Sequence, residues 1–360
     1  MSADAVAKPR PRLKAKPRPR PVREPVAPDA EVVRLRDTLP RAAWRVVAAK
    51  EFGDHLTSVR FIVLLLILGL AAAIPLYFAA DQIRALAPQA TGVPAIFLAL
   101  FTVGSKDIGI LRVDAFVGLV APLLGLAFAF DAVNGERSEG TLPRLLAQPI
   151  HRDDVINGKF AAGMAVIGLV LVAVVTLIAS FGMIRLGIVP HGDEILRLIA
   201  WVVTTFLYVA MWLAFGLLLS VLIRRAATAA LVGFGIWFVV SVLGDIITRL
   251  ITGLIQLPAN ASFDAAVGAA QLQQLVSRLM PSQLYFEVTK VILDPTVNAR
   301  DVVIPSTLDQ YRQASQQVSS ILSVNQSLLL VWPQIVVMIA IAVVCFAAAY
   351  VSFMRQEVRA

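Results

Sequence analysis

The feature that most constrains this chain is a series of long apolar runs. Several of them reach the roughly 20 residues that an α-helix needs to cross a hydrocarbon core of about 30 Å. Only 16% of the 360 residues are charged, against about a quarter in typical soluble domains. Short alternating segments, which are typical of membrane β-barrels, do not occur. The sequence therefore predicts an all-α polytopic membrane protein.

Six of the runs are long enough to form transmembrane helices. The predicted spans are 59–80, 113–133, 160–184, 196–223, 227–247 and 329–353. Pro75 is expected to kink the first of them. Between the first two spans, the segment 93–104 (VPAIFLALFTVG) is apolar but too short to cross, so we expect it to be re-entrant or interfacial.

Six spans place both termini on one side of the membrane, and the distribution of charge predicts which side. Residues 1–60 hold 14 Lys/Arg against 7 Asp/Glu, whereas the rest of the chain holds 18 against 17. With this topology, 22 of the 32 Lys/Arg lie on the side of the termini and of the loop 134–159. Cytoplasmic loops carry the excess of Lys/Arg. We therefore expect a multi-pass protein of the cell inner (plasma) membrane with both termini in the cytoplasm.

Composition divides the chain into five parts. They are a disordered, basic, Pro-rich cytoplasmic tail (1–37), an interfacial amphipathic helix (38–58), spans one to five with the loop 134–159 (59–247), an extracytoplasmic helical domain (248–328), and the sixth span with a cytoplasmic C-terminus (329–360). The tail could be solvated and enforce orientation, or it could bind anionic membrane lipid. Nucleic acid is the least favoured partner, because the surplus of positive charge is confined to the tail.

Helical spacing continues through the predicted extracytoplasmic domain. One apolar pattern covers 263–279 and stops before Pro281. Two more cover 284–291 and 308–322, and the last could run directly into the sixth span. The sequence thus predicts a small helical domain on the far side of the membrane.

Several site chemistries are excluded or disfavoured by residue counts. Cys345 is the single cysteine, so neither a disulfide within one chain nor a cysteine-based metal site is possible. The three histidines, His55, His151 and His191, are scattered over three loops. No G-x-x-x-x-G-K-[ST] motif occurs, so the chain carries no phosphate-binding loop of that type. We expect no catalytic, cofactor or metal site in this chain.

The loop 134–159 (NGERSEGTLPRLLAQPIHRDDVINGK) is the most charged interior segment, and between two spans it must lie in water. Gly140 is expected to break the chain after the second span. Thr141 can cap a short helix that Pro149 ends. The apolar face of that helix consists of Leu142, Leu145 and Leu146.

A helix of about two turns is not stable alone, so this one must pack on something. It could lie on its own bilayer or on neighbouring loops. A partner protein in the cytoplasm fits better, because the flanking charges suit the polar rim of an interface with an apolar centre. Asp153 is expected to cap the helix that follows. The expected rim and hinge residues are Glu136, Glu139, Gly140, Thr141, Arg144, Pro149, Arg152 and Lys159.

The same residues resemble a family pattern. The pattern E-x-x-x-G-T-L, then P-x-x-R and G-K ahead of a span, is similar to that of the type-2 ABC transporter permease family. The end of the second span, AFAFDAVNGE, is similar to the branch that includes the nitrous-oxide-reductase maturation permease. The resemblance covers about 38–355, but Pro143 and the Pro/Arg-rich segment 8–23 depart from it. The matching residues are Glu136, Gly140, Thr141, Leu142, Pro149, Arg152, Gly158 and Lys159.

The resemblance implies an ABC exporter membrane subunit rather than an enzyme. Two permeases pair as a homodimer or heterodimer, and two copies of an ATP-binding subunit carry the MgATP. The segment between spans two and three is then a coupling helix seated on that subunit. The residues that the resemblance assigns are Leu142, Leu145 and Leu146 to the docking face, Glu136, Glu139, Arg144 and Arg152 to the charged rim, and Gly140 to the hinge.

Two other classes stay open. A secondary transporter is disfavoured because the span centres carry almost no charge. Asp131 is expected to be a helix-end charge rather than a proton relay, and Asp245 is expected to pair with Arg249. A non-transporting membrane assembly factor explains the docking loop less well. The substrate is not identified, although uncharged span interiors favour something amphipathic, such as a lipid, drug or peptide.

Overall fold

The computed structural model describes residues 43–86, 95–102, 112–142, 150–254, 262–295 and 322–356. Within these ranges all regular secondary structure is helical. A 3-10 turn, Ile96–Leu98, precedes α3. The α-helices are α1 (Ala43–Thr57), α2 (Val59–Leu86), α3 (Ala99–Thr102), α4 (Val113–Ala129), α5 (Asn134–Ser138), α6 (Arg152–Leu186), α7 (Gly192–Leu222), α8 (Ala226–Ser241), α9 (Gly244–Gly253), α10 (Phe263–Arg278), α11 (Pro281–Leu293) and α12 (Val324–Arg355).

Five stretches are long and apolar enough to cross a membrane: most of α2, the stretch from α4 through α5, and α6, α7 and α12. A sixth is obtained only if α8 and α9 count as one span, because the two helices meet at 51°. The single fifth span expected over 227–247 is therefore broken at Val242 and Leu243.

Contacts from α11 accompany this break. The Ser282 hydroxyl donates a hydrogen bond to the carbonyl of Val240 (3.1 Å), near the end of α8. Asp245 accepts a hydrogen bond from Gln283 Nε2, where the sequence had suggested Arg249 as its partner. Neither contact could be foreseen from local pattern, since each joins residues about 40 positions apart along the chain.

Helix α7 lies at the centre of the described bundle. It packs against α4, α6, α8, α11 and α12. A Cβ atom on Gly125 of α4 would lie 2.7 Å from the carbonyl oxygen of Val209, so a glycine is needed where these two backbones meet. Trp201 and Tyr208 of α7 are almost completely buried.

Helix α11 belongs to the same apolar cluster as the spans. The ring of Tyr285 stacks on Tyr208, with 4.4 Å between the centroids and 14° between the planes. The Tyr285 hydroxyl lies 3.0 Å from Thr205 Oγ1. The described part of 248–328 thus includes a helix packed inside the bundle, although the domain boundaries remain predictions.

Two helices in this region match their sequence patterns closely. The pattern over 263–279 corresponds to α10, and Pro281 is the first residue of α11. In contrast, the tail 1–37 and residues 308–321 of the third pattern lie outside the described residues.

The apolar piece 93–104 is described from Ala95 to Thr102. There it forms the 3-10 turn and α3, and Phe97, Leu98, Leu100 and Phe101 are buried. This burial favours the re-entrant alternative over the interfacial one for these residues.

Two charged residues of α7 hold the end of the bundle that lies away from the loop 134–159, which we call the far end. Glu194 accepts a hydrogen bond from the backbone N–H of Phe97 (2.7 Å). Arg197 donates through Nη1 to the carbonyl of Ile292 (2.8 Å) and through Nη2 to that of Leu322. The carbonyls in the last turn of a helix have no partner within it, so Arg197 satisfies one of those left at the end of α11.

Candidate functional site: the loop between the second and third apolar stretches

The expected coupling loop is described on both sides of a gap at 143–149. Four of the predicted site residues fall in this gap: Arg144, Leu145, Leu146 and Pro149. Leu142 is only 2% exposed, so it is already packed within its own chain. A surface offered to a partner must therefore come mainly from the residues after Leu142. Glu139 and Thr141 are exposed, which suits the expected rim.

The entry to the loop is fixed to the end of α7. The backbone N–H groups of Val133 and Asn134 both donate to Ser220 Oγ, at 2.9 and 3.2 Å. The Asn134 side chain is buried and donates through Nδ2 to the carbonyl of Ile223 (3.1 Å). These bonds satisfy backbone groups where one helix begins and another ends.

Gly140 has φ +69°, in the left-handed region that favours glycine. The backbone turns at this residue, where the sequence predicts a break. The Thr141 backbone N–H and hydroxyl both donate to the carbonyl of Glu136, at 2.9 and 3.2 Å. Thr141 therefore closes the turn behind it, and its capping of the helix expected ahead stays a prediction, because the N–H groups that it would cap lie outside the described residues.

Lys159 was expected in the exposed rim, but its side chain is only 4% exposed. Its ammonium donates to Glu136 Oε1 (2.8 Å) and pairs with Glu51 Oε2 (3.1 Å). These three side chains connect α1, α5 and α6. A buried charge persists only if it is paired, and here two carboxylates surround one ammonium. Glu136 Oε2 is buried without a hydrogen-bond partner among the described residues.

Helix α1 lies against the first turns of α6. A Cβ atom on Gly158 would lie 2.6 Å from Val47 Cβ and 2.9 Å from the carbonyl oxygen of Trp44. The Trp44 backbone N–H donates to Asp154 Oδ1 (3.0 Å). The G-K pair thus has two separate roles, since Gly158 permits close approach and Lys159 provides the charge.

The exit from the loop begins two residues earlier than expected. His151 is the N-cap of α6, and its backbone N–H donates to Asp154 Oδ2 (3.2 Å) as part of a capping box. Asp153, which was expected to be the cap, lies instead in the first turn. A negative charge is favourable there because of the helix dipole.

Gln356, directly after α12, connects both sides of the loop. Its carbonyl accepts from Arg152 Nη1 (3.0 Å), and its Oε1 accepts from Arg137 Nη2. Its Nε2 donates to the carbonyl of Val221 at the end of α7 (2.9 Å). Sequence reasoning missed Gln356, because a single glutamine after an apolar run is typical of a solvent-exposed residue at the end of a span.

A second contact group links α1 and α2 to the end of α4. Arg60 pairs with Asp131 and lies over the ring of Phe130, 5.2 Å from its centroid. This agrees with Asp131 as a helix-end charge. The rings of His55 and Phe128 meet edge to face at 5.0 Å. Burial lowers the pKa of His55 below its ordinary value.

We call the set of buried and bridging contacts around the loop the near-end junction. Its members are Glu51, Asn134, Glu136, Arg137, Arg152, Lys159, Ser220 and Gln356. Among the described residues, no three His, Cys, Asp or Glu side chains come together where they could hold a metal ion. The arrangement is suited to holding the two sides of a loop against α1, α7 and α12.

Comparison with known proteins places these features in a family. The family model for ABC-2 family transporter protein matches residues 45–358. The probable ABC transporter permease protein NosY of Stutzerimonas stutzeri is 29% identical over 131 residues. The protein of the same name from Pseudomonas aeruginosa is 33% identical over 130 residues. Each alignment covers 35% of this chain and 46% of the relative, so the chain matches less than half the length of these relatives.

The family match extends from α1 to just beyond α12 and includes the whole near-end junction. The names of the two relatives agree with the branch that the span-end motif resembles. Several apolar helices of spanning length agree with a multi-pass membrane protein. The chain therefore belongs to the ABC-2 family of transporter proteins.

Proposed function

We propose that this permease couples ATP hydrolysis on a separate subunit to export of a substrate across the inner membrane. One observation carries the proposal: both sides of the loop segment 143–149 are bonded to helices that run through the bundle. The entry is held by Ser220 and Ile223 at the end of α7. The exit is held through Arg152 to Gln356 at the end of α12. A displaced loop therefore moves the helices with it.

The coupling step follows from these bonds. An ATP-binding subunit that closes around MgATP displaces the segment seated on it. A flexible loop would absorb that displacement, whereas a loop fixed at both ends transmits it to α1, α7 and α12. Such a step works by shifting the balance between two arrangements of packed helices, and it needs a difference in contact energy between them.

The proposal includes a topology. The bent pair α8 and α9 is the fifth of six spans, and α1 lies at the interface. The near-end junction and both termini are cytoplasmic, and the far end with α11 faces the outside. Two permease copies, identical or different, pair with two ATP-binding subunits. The nucleotide site belongs to those subunits, and this chain needs no cofactor of its own.

The docking face in this proposal is Leu145 and Leu146, with Leu142 as the buried anchor that precedes them. Arg144, Glu139 and Arg152 supply the charged rim. Pro149 ends the short helix. An apolar centre with a charged rim is the ordinary anatomy of a specific protein interface.

Co-purification with an ATP-binding subunit that is expressed together with this chain tests the proposal. The variant L145D/L146D places two carboxylates in the docking face and should lose the ATP-binding subunit. Val189→Asp is the control: it puts one carboxylate on an exposed apolar residue (68%) in the turn between α6 and α7. That control should retain the subunit. Retention by L145D/L146D, or loss in both, contradicts docking at this face.

A further inference from the structure

We infer that the bundle contains a binding site for one acyl chain of a membrane phospholipid, distinct from the coupling loop. The site is a partly open cavity of about 150 Å³ between α7, α8, α12 and the beginning of α11. Trp212 and Phe215 of α7 form one wall, Ile236 of α8 a second, and Cys345 of α12 a third. Pro281 of α11 closes the remaining side.

The chemistry of the cavity selects a hydrocarbon. No nitrogen or oxygen atom contributes to its surface. A water molecule needs two to four polar partners to be stable in a protein interior, and these walls offer none. An engineered cavity of about 150 Å³ with similar walls stays dry and binds benzene or xenon. A hydrocarbon chain therefore fits this cavity better than water or a polar headgroup does.

The position of the cavity selects a lipid as the source of that hydrocarbon. Trp212 and Cys345 lie within helices of spanning length, several turns from either end. Ile236 is 40% exposed, so one wall of the cavity is also part of the outer surface of the bundle. Next to Cys345, Val344 is 66% exposed. The cavity is thus continuous with the apolar surface that the bilayer covers, and acyl chains are present there at high concentration.

A feature of the fold explains why the cavity exists. Helices α8 and α12 both pack on α7 but make few contacts with each other. The first turn of α11 enters between them at the level where α8 ends, with Ser282 bonded to Val240. An acyl chain in the cavity fills the space that α11 leaves open beside the break between α8 and α9.

Two tryptophans on the same helix provide a matched test. Trp212 is 3% exposed and lines the cavity. Trp201 is 1% exposed and borders a void of about 10 Å³. Full-length chains with a single tryptophan, retaining either Trp212 or Trp201 and carrying phenylalanine at the others, are reconstituted in phosphatidylcholine vesicles. Vesicles whose acyl chains are brominated near mid-chain are compared with unbrominated ones, because bromine quenches tryptophan only at short range.

The expected result is that brominated lipid removes most of the Trp212 fluorescence and little of the Trp201 fluorescence. The variant C345F fills the cavity from α12 and should restore the Trp212 signal, while the lipid around the bundle is unchanged. Equal quenching of both tryptophans overturns the site. Quenching of Trp212 that survives C345F also overturns it, because lipid outside the cavity is then responsible. Absence of Trp212 quenching means that the cavity is empty or covered by a second copy, and it overturns the proposal as well.

A second measurement needs no change of tryptophan. Native mass spectrometry of the otherwise unmodified chain, released from phosphatidylcholine vesicles, counts the phospholipids that stay bound. The variant C345F should retain one fewer than the unmodified chain. Val344→Phe places the same side chain on the exposed neighbour and should not change the count. An equal count for C345F and the unmodified chain contradicts an acyl site at Cys345.

Discussion

The two ends of the bundle are both held by buried charge, but the charges have different partners. At the near end, the Lys159 ammonium is paired with carboxylates from two other helices, at 2.8 and 3.1 Å. At the far end, Arg197 donates to backbone carbonyls at the end of α11 and before α12. Side chains can separate and pair again without unfolding a helix. Bonds to helix-end carbonyls instead fix where a segment ends.

The difference suggests separate tasks for the two ends. In the proposed coupling step, the near-end junction connects the elements that move together when the loop is displaced. The far-end contacts of Glu194 and Arg197 fix the segment 95–102 and α11 to the first turns of α7. Changes at the near end should therefore affect stability and coupling together, whereas changes at the far end should affect stability alone.

The largest effect is expected for Lys159→Ala. It leaves Glu136 without its cation and leaves Glu51 with Lys50, 3.3 Å away, and breaking a buried pair by removing one partner costs about 3–5 kcal/mol. The measurement is the free energy of unfolding in detergent or lipid. Lys50→Ala is the control: it removes the other cation near Glu51, but its own side chain is 63% exposed, so the expected change is below about 1 kcal/mol.

The triple variant K159M/E51Q/E136Q separates two explanations of that loss. It removes all three charges and keeps similar volumes, so it should recover most of the stability of the unmodified chain. If the triple variant is as unstable as Lys159→Ala, unpaired charge is not the reason for the loss. The near end would then depend on packing around the lysine stem.

A smaller loss is expected for Arg197→Met at the far end. The substitution leaves the carbonyls of Ile292 and Leu322 buried without their donor, and each unsatisfied group costs about 1–3 kcal/mol. The free energy of unfolding should fall, but the ATP-binding subunit should still co-purify as it does with the unmodified chain. Loss of that subunit in Arg197→Met would break the division of tasks between the two ends.

The smallest effect is a pH dependence from His55. Burial lowers its pKa below the ordinary 6.5, so the folded chain resists a proton that the unfolded chain accepts. The contribution of His55 to stability is complete above pH 6.5 and decreases as pH falls through the interval below it. His55→Phe keeps a ring against Phe128 and should flatten this part of the stability profile. An unchanged slope would assign the dependence to another group.

Sequence reasoning found the parts of the loop whose causes are local. Gly140 stands where the backbone needs positive φ, and Asp131 at a helix end is paired as a helix-end charge. The G-K pair was found through a motif, although the burial of Lys159 was not foreseen. It depends on Glu51, which lies 108 positions earlier and could not be linked to Lys159 by any spacing rule.

The missed features all depend on distant contacts. The apolar run 227–247 has the length and composition of one straight span, but it breaks where Ser282 and Gln283 of α11 reach it. Helix α11 has ordinary amphipathic spacing, which does not reveal that it packs inside the bundle. The role of Gln356 depends on the folded structure, because its hydrogen bonds connect the end of α12 to α5, α6 and α7.

The central claim is that the near-end junction carries motion of the loop into the spans, and a distance measurement tests it most directly. Spin labels are attached at Leu222→Cys, an exposed position (56%) at the end of α7, in a Cys345→Ser chain assembled with its ATP-binding subunits. Double electron–electron resonance measures the distance between the two permease copies with and without a non-hydrolysable ATP analogue.

Coupling through the near-end junction predicts that the nucleotide changes the Leu222 distance distribution in the otherwise unmodified transporter. In Gln356→Ala, which loses the side-chain bonds to Arg137 and Val221, the change should shrink although the ATP-binding subunit stays bound. The same nucleotide-driven change with and without Gln356, or no change in the intact transporter, would contradict the account.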